Sequence, residues 1–436
     1  MTATMLKSGF NQANFESFLD ARDEPDWLRQ QRDDAWQAFC ELPLPSMNDE
    51  EWRRTDLRLF RLEKYGFPTE TAETPALPPA LLAEGVALGG RTVSWNSRPV
   101  EQTLSEKWTK QGVLFGSLET MVAEHEDVVK KQLFRRALET KTDKFAALHA
   151  ACWSGGTLLY VPKGVVVDEP LHTLSAISDG GVDLGHTLVV MEEGAEATLM
   201  AETASAADAT GLHCGGIELL LGPGAKLRYV NLQNWGSGVW HFARQKGIVD
   251  RDAALQWTIG ALGARLAKVN QEVALVGPGA DAQVNGVMFT EDRQHLAYHT
   301  LQHHEAESCH SDLLYKGALQ DRSRLVWRGM IKVDPDAQKT NGYQRNDNLM
   351  LSDHSRADSI PGLEIEADDV ICTHGSTTGR VDDELIFYAQ CRGLTRKEAI
   401  RMIVAGFFQK VFDRITIESV REALAEAIGR RIREYV

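Results

Sequence analysis

The sequence predicts a mainly β protein in which a β-solenoid lies between two α-helical ends, and three observations support this. Of the 36 glycines, 26 fall between residues 155 and 380, which is just over half of the 436-residue chain. Short apolar runs such as TLLYVP, HTLVVM and IELLLG fill the same stretch and alternate with small turns. Helical patterns of apolar residues are confined to the two ends of the chain.

The small turns recur at a regular spacing, which distinguishes a solenoid from other β folds. Turns of similar sequence are centred on Gly194, Gly224, Asp252 and Gly279, so their spacing along the chain is nearly constant. A regular repeat without helices between the strands is typical of a β-solenoid, because each turn buries its apolar side chains only by stacking on its neighbours. An ordinary β-sandwich is the alternative that the spacing leaves open.

Residues 1–152 are predicted to form an N-terminal helical domain that contains a linker. A proline suited to the first helical turn, Pro25, and an apolar stripe at helical spacing predict the first helix. Four of the fourteen prolines, Pro68, Pro75, Pro78 and Pro79, lie close together, which indicates a proline-rich linker near 66–90. A second helical block is expected over about 117–152.

The β-solenoid is predicted to occupy residues 153–380, and a C-terminal helical domain is predicted for 381–436. Gly393 stands where a helix would end in a left-handed conformation. Thr395 and Glu398 form the pattern of a capping box, which places the start of a long amphipathic helix there.

The charge balance and the lack of targeting signals restrict the functional classes. The chain has 47 Lys and Arg against 62 Asp and Glu, a net charge of −15, which argues against nucleic acid or an anionic membrane as a partner. No apolar run approaches the roughly 20 residues that cross a membrane. The opening stretch, MTATMLKSGFNQANF, lacks the apolar core of a signal peptide, so we expect a cytoplasmic protein.

The six cysteines provide neither a disulfide framework nor a zinc motif. No CxxC pair occurs among them, so each is expected to be a buried thiol that packs as a small hydrophobe. The sequence also lacks a phosphate-binding loop, a nucleophile elbow and an HExxH motif. If nucleotide energy is used, a partner has to supply it.

Histidines cluster once, between His295 and His310, with Cys309 beside them. On an extended strand His295, His299 and His303 would share one face, so a row of metal ligands is geometrically feasible. The polar outer face of a sheet is the simpler interpretation of the same spacing, and we favour it.

Cys372 and His374 form the sharper candidate for metal chemistry. Residues two apart on a strand project to the same side, so a thiolate and an imidazole could meet one soft metal ion. Two ligands are too few to hold iron or zinc, so the remaining ligands would come from a partner or from sulfide. A chance Cys-x-His pair in a core strand is the alternative.

Several long motifs resemble one known family. The stretch 360–394, IPGLEIEADDVICTHGSTTGRVDDELIFYAQCRGL, closely resembles the C-terminal signature of the SufB/SufD family of iron–sulfur cluster assembly proteins. WSGGTLLYVPKGVVVDEPL (153–171), LLYKGALQDRSRLVWRGMIKV (313–333) and EAIRMIVAGFF (398–408) support it. The N-terminal EPDWLRQQRDDAWQAF is similar to the SufD branch, so the resemblance spans nearly the whole chain.

Two positions distinguish the branches of this family. SufB proteins carry a nucleating cysteine in a Cys-Gly-Ala-His-Thr-x-Pro run, and the matching run here begins at Ser355, whose hydroxyl cannot bind iron as a thiolate does. SufB proteins also have His-Glu where this chain has His374 and Gly375, so a carboxylate ligand is missing. Both departures indicate the SufD branch.

The resemblance implies a right-handed parallel β-helix and a non-catalytic scaffold role. It implies pairing with SufB through the β-helix and binding of the SufC ATPase through the C-terminal helices, with the SufC-docking segment at Asp383, Phe387, Arg392 and Gly393. His374 matches a SufD histidine at the SufB interface, and Cys372 stands beside it. No cofactor is expected to bind the isolated chain stably, although a transient iron–sulfur cluster would form in the complex.

Some alternatives stay open at this point. A SufB-type cluster scaffold is the nearest one, and a polysaccharide-active β-helix enzyme is a remote one because the acidic residues are scattered and no export signal is present. Whether the isolated chain forms a homodimer, and whether the complex binds flavin, are not decided by the sequence.

Overall fold

The computed structural model describes residues 9–68 and 77–432. It confirms a mainly β fold, with a parallel β-solenoid of about eight turns between residues 156 and 380 and helices at both ends. The helices are α1 (Gln12–Asp20), α2 (Asp26–Glu41), α3 (Glu106–Thr109), α4 (Leu118–Glu124), α5 (Glu126–Gln132), α6 (Lys144–Cys152), α7 (Asp383–Cys391), α8 (Arg396–Phe412) and α9 (Glu418–Arg431). Of the helices in these ranges, none is long and apolar enough to cross a membrane.

Two ten-stranded sheets form the walls of the solenoid, and strands from β7 onward alternate between them. The strands are β1 (Gly90–Trp95), β2 (Arg98–Leu104), β3 (Leu114–Ser117), β4 (Gly156–Val161), β5 (Leu171–Ala176), β6 (Gly181–Asp183), β7 (His186–Met191), β8 (Glu196–Ala204), β9 (Thr210–Leu221), β10 (Lys226–Asn234), β11 (Gly238–Val249), β12 (Ala254–Ala261), β13 (Leu266–Leu275), β14 (Asp281–Thr290), β15 (His295–His304), β16 (His310–Leu319), β17 (Arg324–Val333), β18 (Asn341–Met350), β19 (Arg356–Ile365) and β20 (Ile371–Arg380). Sheet A has the order β2-β1-β5-β8-β10-β12-β14-β16-β18-β20, and sheet B has the order β19-β17-β15-β13-β11-β9-β7-β4-β3, with β6 beside β9. All pairings are parallel except β1 with β2 and β3 with β4.

One corner of each turn depends on a residue in the left-handed conformation. The series, with φ between 55° and 75°, is Gly164, Gly194, Gly224, Asp252, Gly279, Ser308 and Lys339. Each amide in this series donates a hydrogen bond to a carbonyl of the next turn, for example Gly194 to Pro223 at 2.9 Å. The turns that the sequence spacing predicted are therefore confirmed, because this conformation favours glycine and, less strongly, aspartate.

Helices cover the outer faces of both sheets. In the C-terminal region Val404 and Phe408 of α8 are buried in one apolar cluster with Phe289 of sheet A. In the N-terminal region Phe145 of α6 stacks on Phe242 of sheet B, with ring centroids 3.8 Å apart. The inner cluster between the two sheets contains aromatic side chains that are at most 1% exposed, among them Trp257, Trp327, Tyr298 and Tyr315.

The start of the solenoid wall comes from a region that we predicted to be helical. β1 pairs in parallel with β5, so the N-terminal region supplies the first strands of sheet A. The segment 90–104 lacks the glycine-centred turn of the later repeats, which is why its strands were not anticipated. The boundary at residues 152 and 153 stays a prediction, and part of the proline-rich linker, 69–76, lies outside the described residues.

The expectation that every cysteine is buried was wrong at two positions. Cys152, Cys214 and Cys309 are buried and Cys372 is half-buried, but Cys40 and Cys391 are exposed. Both lie near the last residue of a helix, on the side that faces solvent, and composition alone does not reveal which side of a helix a cysteine occupies.

Candidate functional site

The C-terminal end of the solenoid is open. β19 pairs only with β17, and β20 pairs only with β18, so in the part of the chain that the structure describes no further turn covers them. Two apolar positions that are buried one turn earlier are exposed here, Leu363 by 37% and Ile365 by 40%. Ile371, in register with the exposed Asn341, is exposed by 67%. Exposed apolar residues beside unpaired strands are typical of a surface that pairs with another chain.

β20 presents a row of unpaired backbone groups. The amides of Ile371 and Val381 donate to Thr340 and Met350 of the neighbouring turn, at 2.9 and 3.2 Å. Hydrogen bonding in a parallel ladder alternates from residue to residue, so the odd-numbered residues of β20 pair with β18. The even-numbered residues, 372 to 380, therefore direct their N–H and C=O groups to the free edge.

β19 has the same property with the opposite parity. The amides of Arg356 and Glu366 donate to the carbonyls of Ser323 and Val333, at 3.0 and 2.9 Å, so even-numbered residues pair with β17. Pro361 occupies an odd-numbered position, where the missing N–H removes no bond within the sheet. Proline is tolerated in strands at such free-edge positions, and it limits indiscriminate pairing.

The structure places Cys372 and His374 on one face of β20, at the mouth of the solenoid interior. They lie in register with Gly342 and Gln344 of β18. Gln344 points inward, because it is fully buried and its Nε2 donates to the carbonyl of Gly362 across the interior at 2.8 Å. The two candidate ligands continue that inward-facing row, one turn farther out.

The mouth supplies two potential metal ligands with different environments. Cys372 packs beside Ile331 and Val333, and this burial raises the pKa of its thiol, so a metal ion would have to displace the proton. His374 is exposed. Nowhere in residues 9–68 and 77–432 do three or more His, Cys, Asp or Glu side chains form a group that could hold a metal ion. Further ligands would have to come from outside.

Neither Ser355 nor Gly375 adds a ligand to this mouth. The Ser355 hydroxyl donates to the carbonyl of Ser352 at 2.8 Å and closes the turn that precedes β19. Gly375 has no side chain. Neither of the two positions noted in the sequence therefore adds a ligand to Cys372 and His374.

The histidines between residues 295 and 310 do not form a metal group. His303 lies between Asp334 and Glu305, at 3.0 and 3.2 Å, whereas His304 points inward to Ser311. His299 lies among cationic side chains, and burial followed by these charges lowers its pKa to about 2. The polar outer face that we favoured describes this row better than a ligand row does.

The four residues of the predicted SufC-docking segment lie together around α7. Asp383 forms an ion pair with Arg396 at 3.2 Å, and the Arg392 guanidinium lies 5.0 Å from the centre of the Tyr388 ring. Gly393 has a φ of 93°, which ends the helix as predicted. Large apolar side chains are exposed nearby: Leu385 by 53%, Phe387 by 68%, Tyr388 by 59% and Met402 by 55%. We name these four side chains the α7 patch.

Buried pairs of histidine and carboxylate escaped the sequence analysis. Glu218 lies 3.3 Å from His186 and accepts the amide of Phe134, and both members of the pair are fully buried. Glu202 lies 3.5 Å from His172 and accepts the amides of two N-terminal residues. Through these hydrogen bonds the two carboxylates connect N-terminal segments to strands of the solenoid. The partners are one solenoid turn apart in the chain, and only that spacing could have suggested them.

Replacing Glu218 by glutamine should reduce the pH dependence of stability. Burial raises the pKa of Glu218 to about 8. A carboxyl whose pKa is raised on folding contributes stability that is complete below its unfolded pKa, near 4.3, and is lost as the pH rises through 8. We expect the melting temperature of the native chain to fall more between pH 5.5 and 8.5 than that of Glu218→Gln. Thermal unfolding at several pH values measures this.

The exposed Glu193, which pairs with Lys163 at the surface, provides the control. Glu193→Gln should follow the native profile. An identical pH profile for Glu218→Gln and the native chain would contradict the assignment.

Comparison with known proteins places the chain in one family. The SufBD core domain of the SUF system for FeS cluster assembly matches residues 174–407, and the SufBD protein N-terminal region matches residues 13–173. SufD of Bacillus subtilis, an iron–sulfur cluster assembly protein, is 27% identical over an alignment of 437 positions, which covers 98% of this chain and 99% of the relative. A SufBD family protein of Mycobacterium leprae is 32% identical over 300 residues, 67% of this chain and 76% of the relative. A relative of the same description in Staphylococcus saprophyticus is 26% identical over 411 residues, 91% and 88% of the two chains.

The two family models together span most of the chain. The two family models meet at residue 173, so the core model begins within β5, inside the first turns of the solenoid. The chain belongs to the SufBD family of iron–sulfur cluster assembly proteins and is a homologue of SufD.

Proposed function

We propose that this chain is a non-catalytic scaffold subunit of the SUF iron–sulfur cluster assembly complex. In this role it pairs with SufB through the open end of the β-solenoid and binds the SufC ATPase through its C-terminal helices. The observation that carries the proposal is the pair of edge strands, β19 and β20, each with one free edge, with Cys372 and His374 on the inward face of β20.

The open end is suited to a partner that is itself a β-solenoid. Both sheets stop at the same end with free backbone donors and acceptors, so a second solenoid could continue both ladders. The exposed Leu363 and Ile365 would then be buried, as Ile331 and Val333 are one turn earlier. A SufB subunit meets this requirement by family resemblance, and a second copy of this chain is the competing occupant that the experiments must distinguish.

A nascent iron–sulfur cluster is the cargo of this interface. His374 and Cys372 would contribute one or two ligands, and SufB together with sulfide would contribute the others. Because the cluster is assembled at the interface and then transferred, the chain positions it and contributes ligands. It contributes no catalytic residue.

Co-purification tests the assembly. We expect the chain to be retained with SufB and SufC of the same organism when one subunit carries the affinity tag. A chain that binds neither one, or that forms only a homodimer in the presence of both, would contradict the proposal.

Replacing Phe387 by serine should weaken binding of SufC. Phe387 is 68% exposed on the α7 patch, so its loss should leave folding unchanged, while an aromatic side chain at the centre of an interface contributes enough to lower affinity by about tenfold or more. Leu59 is also 68% exposed, but it lies in the N-terminal region, so Leu59→Ser is the matched control. Equal SufC affinity for both variants, measured by calorimetry, would remove Phe387 from the interface.

A further inference from the structure

We propose that a cleft on the outer face of sheet B binds a small molecule that carries a phosphate group. The cleft has a volume of about 470 Å³ and is bordered by the N-terminal residues Glu50 and Glu51. Four side chains that line the cleft, Arg244, Asn270, His299 and Arg328, are named the polar row. Lys268 lies beside this row and lines a small adjoining pocket. One end of the cleft reaches Glu364 of β19, but the proposed scaffold function does not use the polar row.

The register of sheet B assembles the polar row. Arg244 of β11 pairs with Asn270 of β13, which pairs with His299 of β15, which pairs with Arg328 of β17. Parallel strands in register direct such residues to the same face, about 4.8 Å apart from strand to strand. The ammonium of Lys268 donates to the Asn270 side chain at 2.9 Å, so it lies against this row.

Lys268 is a buried cation without an anion in direct contact. It is 2% exposed, and among the described residues the carboxylates of this region pair with Arg244 and Arg328 instead. Burial, together with the charges of Arg244 and Arg328, lowers the pKa of Lys268 to about 7, although Glu51 and Asp143 oppose this shift. An anion bound beside Asn270 would stabilise the charged form of Lys268, which burial disfavours.

Two glutamates of the N-terminal segment occupy the positions next to the arginines where an external anion would bind. Glu50 forms an ion pair with Arg328, and Glu51 lies 3.6 Å from Arg244. Their side chains are 78% and 55% exposed, and exposed ion pairs contribute little to stability. A ligand with a stronger, more compact negative charge would therefore displace them.

The residues around the cleft favour binding of a phosphate monoester or of free phosphate and disfavour binding of a polyanion. Arginine and lysine match the geometry and charge of a phosphate group. The rim also carries Glu139, Glu272 and Glu364, of which Glu272 pairs with Lys246 at 2.6 Å. An extended polyanion would meet these carboxylates, whereas a single phosphate on an organic molecule fits the volume typical of small-ligand sites.

Calorimetric titration of the full chain with inorganic phosphate and with glycerol 3-phosphate tests the proposal. We expect both to bind, with affinity lowered about tenfold in Lys268→Met and raised in the double variant Glu50→Gln, Glu51→Gln, since the competing carboxylates are removed. Lys163→Met, at an exposed corner paired with Glu193, should bind like the native chain.

The same titrations distinguish a phosphate ester from free phosphate as the ligand. Tighter binding of the ester assigns a phosphorylated metabolite, and equal binding assigns the free anion. If Lys268→Met does not fold, Arg328→Gln on the partly exposed end of the row replaces it. Absence of binding by the native chain and by the double variant, or unchanged affinity in the Lys268 and Arg328 variants, would overturn the proposal.

Discussion

Replacing Thr378 by proline is expected to leave the isolated chain folded and to abolish its pairing with SufB. Thr378 is an even-numbered, exposed residue of β20, so its N–H faces the free edge and takes no part in sheet A. Proline removes that donor and places its ring where a partner strand would lie. Pulldown with SufB and the melting temperature of the isolated variant are the two measurements.

Thr373→Pro is the matched control for this experiment. Thr373 is exposed on the same strand, but its odd-numbered position directs the N–H to β18. Proline there should destabilise the isolated chain by about 1–3 kcal/mol, because it removes a hydrogen bond within the sheet and leaves its partner unsatisfied. If the two variants lower the melting temperature equally, or if Thr378→Pro still pairs with SufB, the free-edge assignment is wrong.

Replacing His374 by alanine is expected to leave folding and complex assembly intact and to lower cluster formation by about tenfold or more. His374 is exposed, so its removal costs the isolated chain little packing, whereas removal of a metal ligand or its direct support typically weakens a site by that factor. Anaerobic reconstitution of the complex with SufB and SufC, followed by its visible absorbance, measures the yield.

Ser376→Ala is the control at the same mouth. Ser376 bridges to Ser359 at 2.8 Å and carries no metal-binding group, so its loss should affect the geometry of the mouth without removing a ligand. Cluster yield that is unchanged in His374→Ala, or reduced equally in Ser376→Ala, would make the role of His374 structural.

The repeating part of the fold could be predicted because each turn uses the same local rule. A left-handed residue at one corner, glycine or aspartate at 194, 224, 252 and 279, marks these turns and is visible in the sequence. The capping box at Thr395 is equally local, and the structure contains both of its hydrogen bonds.

The parts that could not be predicted depend on which segments meet in space. β1 joins sheet A through pairing with β5, which follows much later in the chain, and nothing near residue 90 signals it. β20 has a free edge because no further strand pairs with it in the described part of the chain. The sequence could therefore identify Cys372 and His374 as neighbours on one strand, but it could not place them at the open end of the solenoid. In the sequence Lys268 cannot be distinguished from other residues of a strand, and its burial by the N-terminal segment is visible only in the structure.

Hydrogen–deuterium exchange at the backbone amides of β20 tests the central claim most directly. In the isolated chain the even-numbered amides from Cys372 to Arg380 should exchange rapidly, while the odd-numbered ones are protected by β18. Addition of SufB should protect the even-numbered amides and leave unchanged that of an exposed residue elsewhere, such as Lys110 in the turn after α3. Even-numbered amides that stay rapidly exchanging in a complex shown to contain SufB would contradict the account.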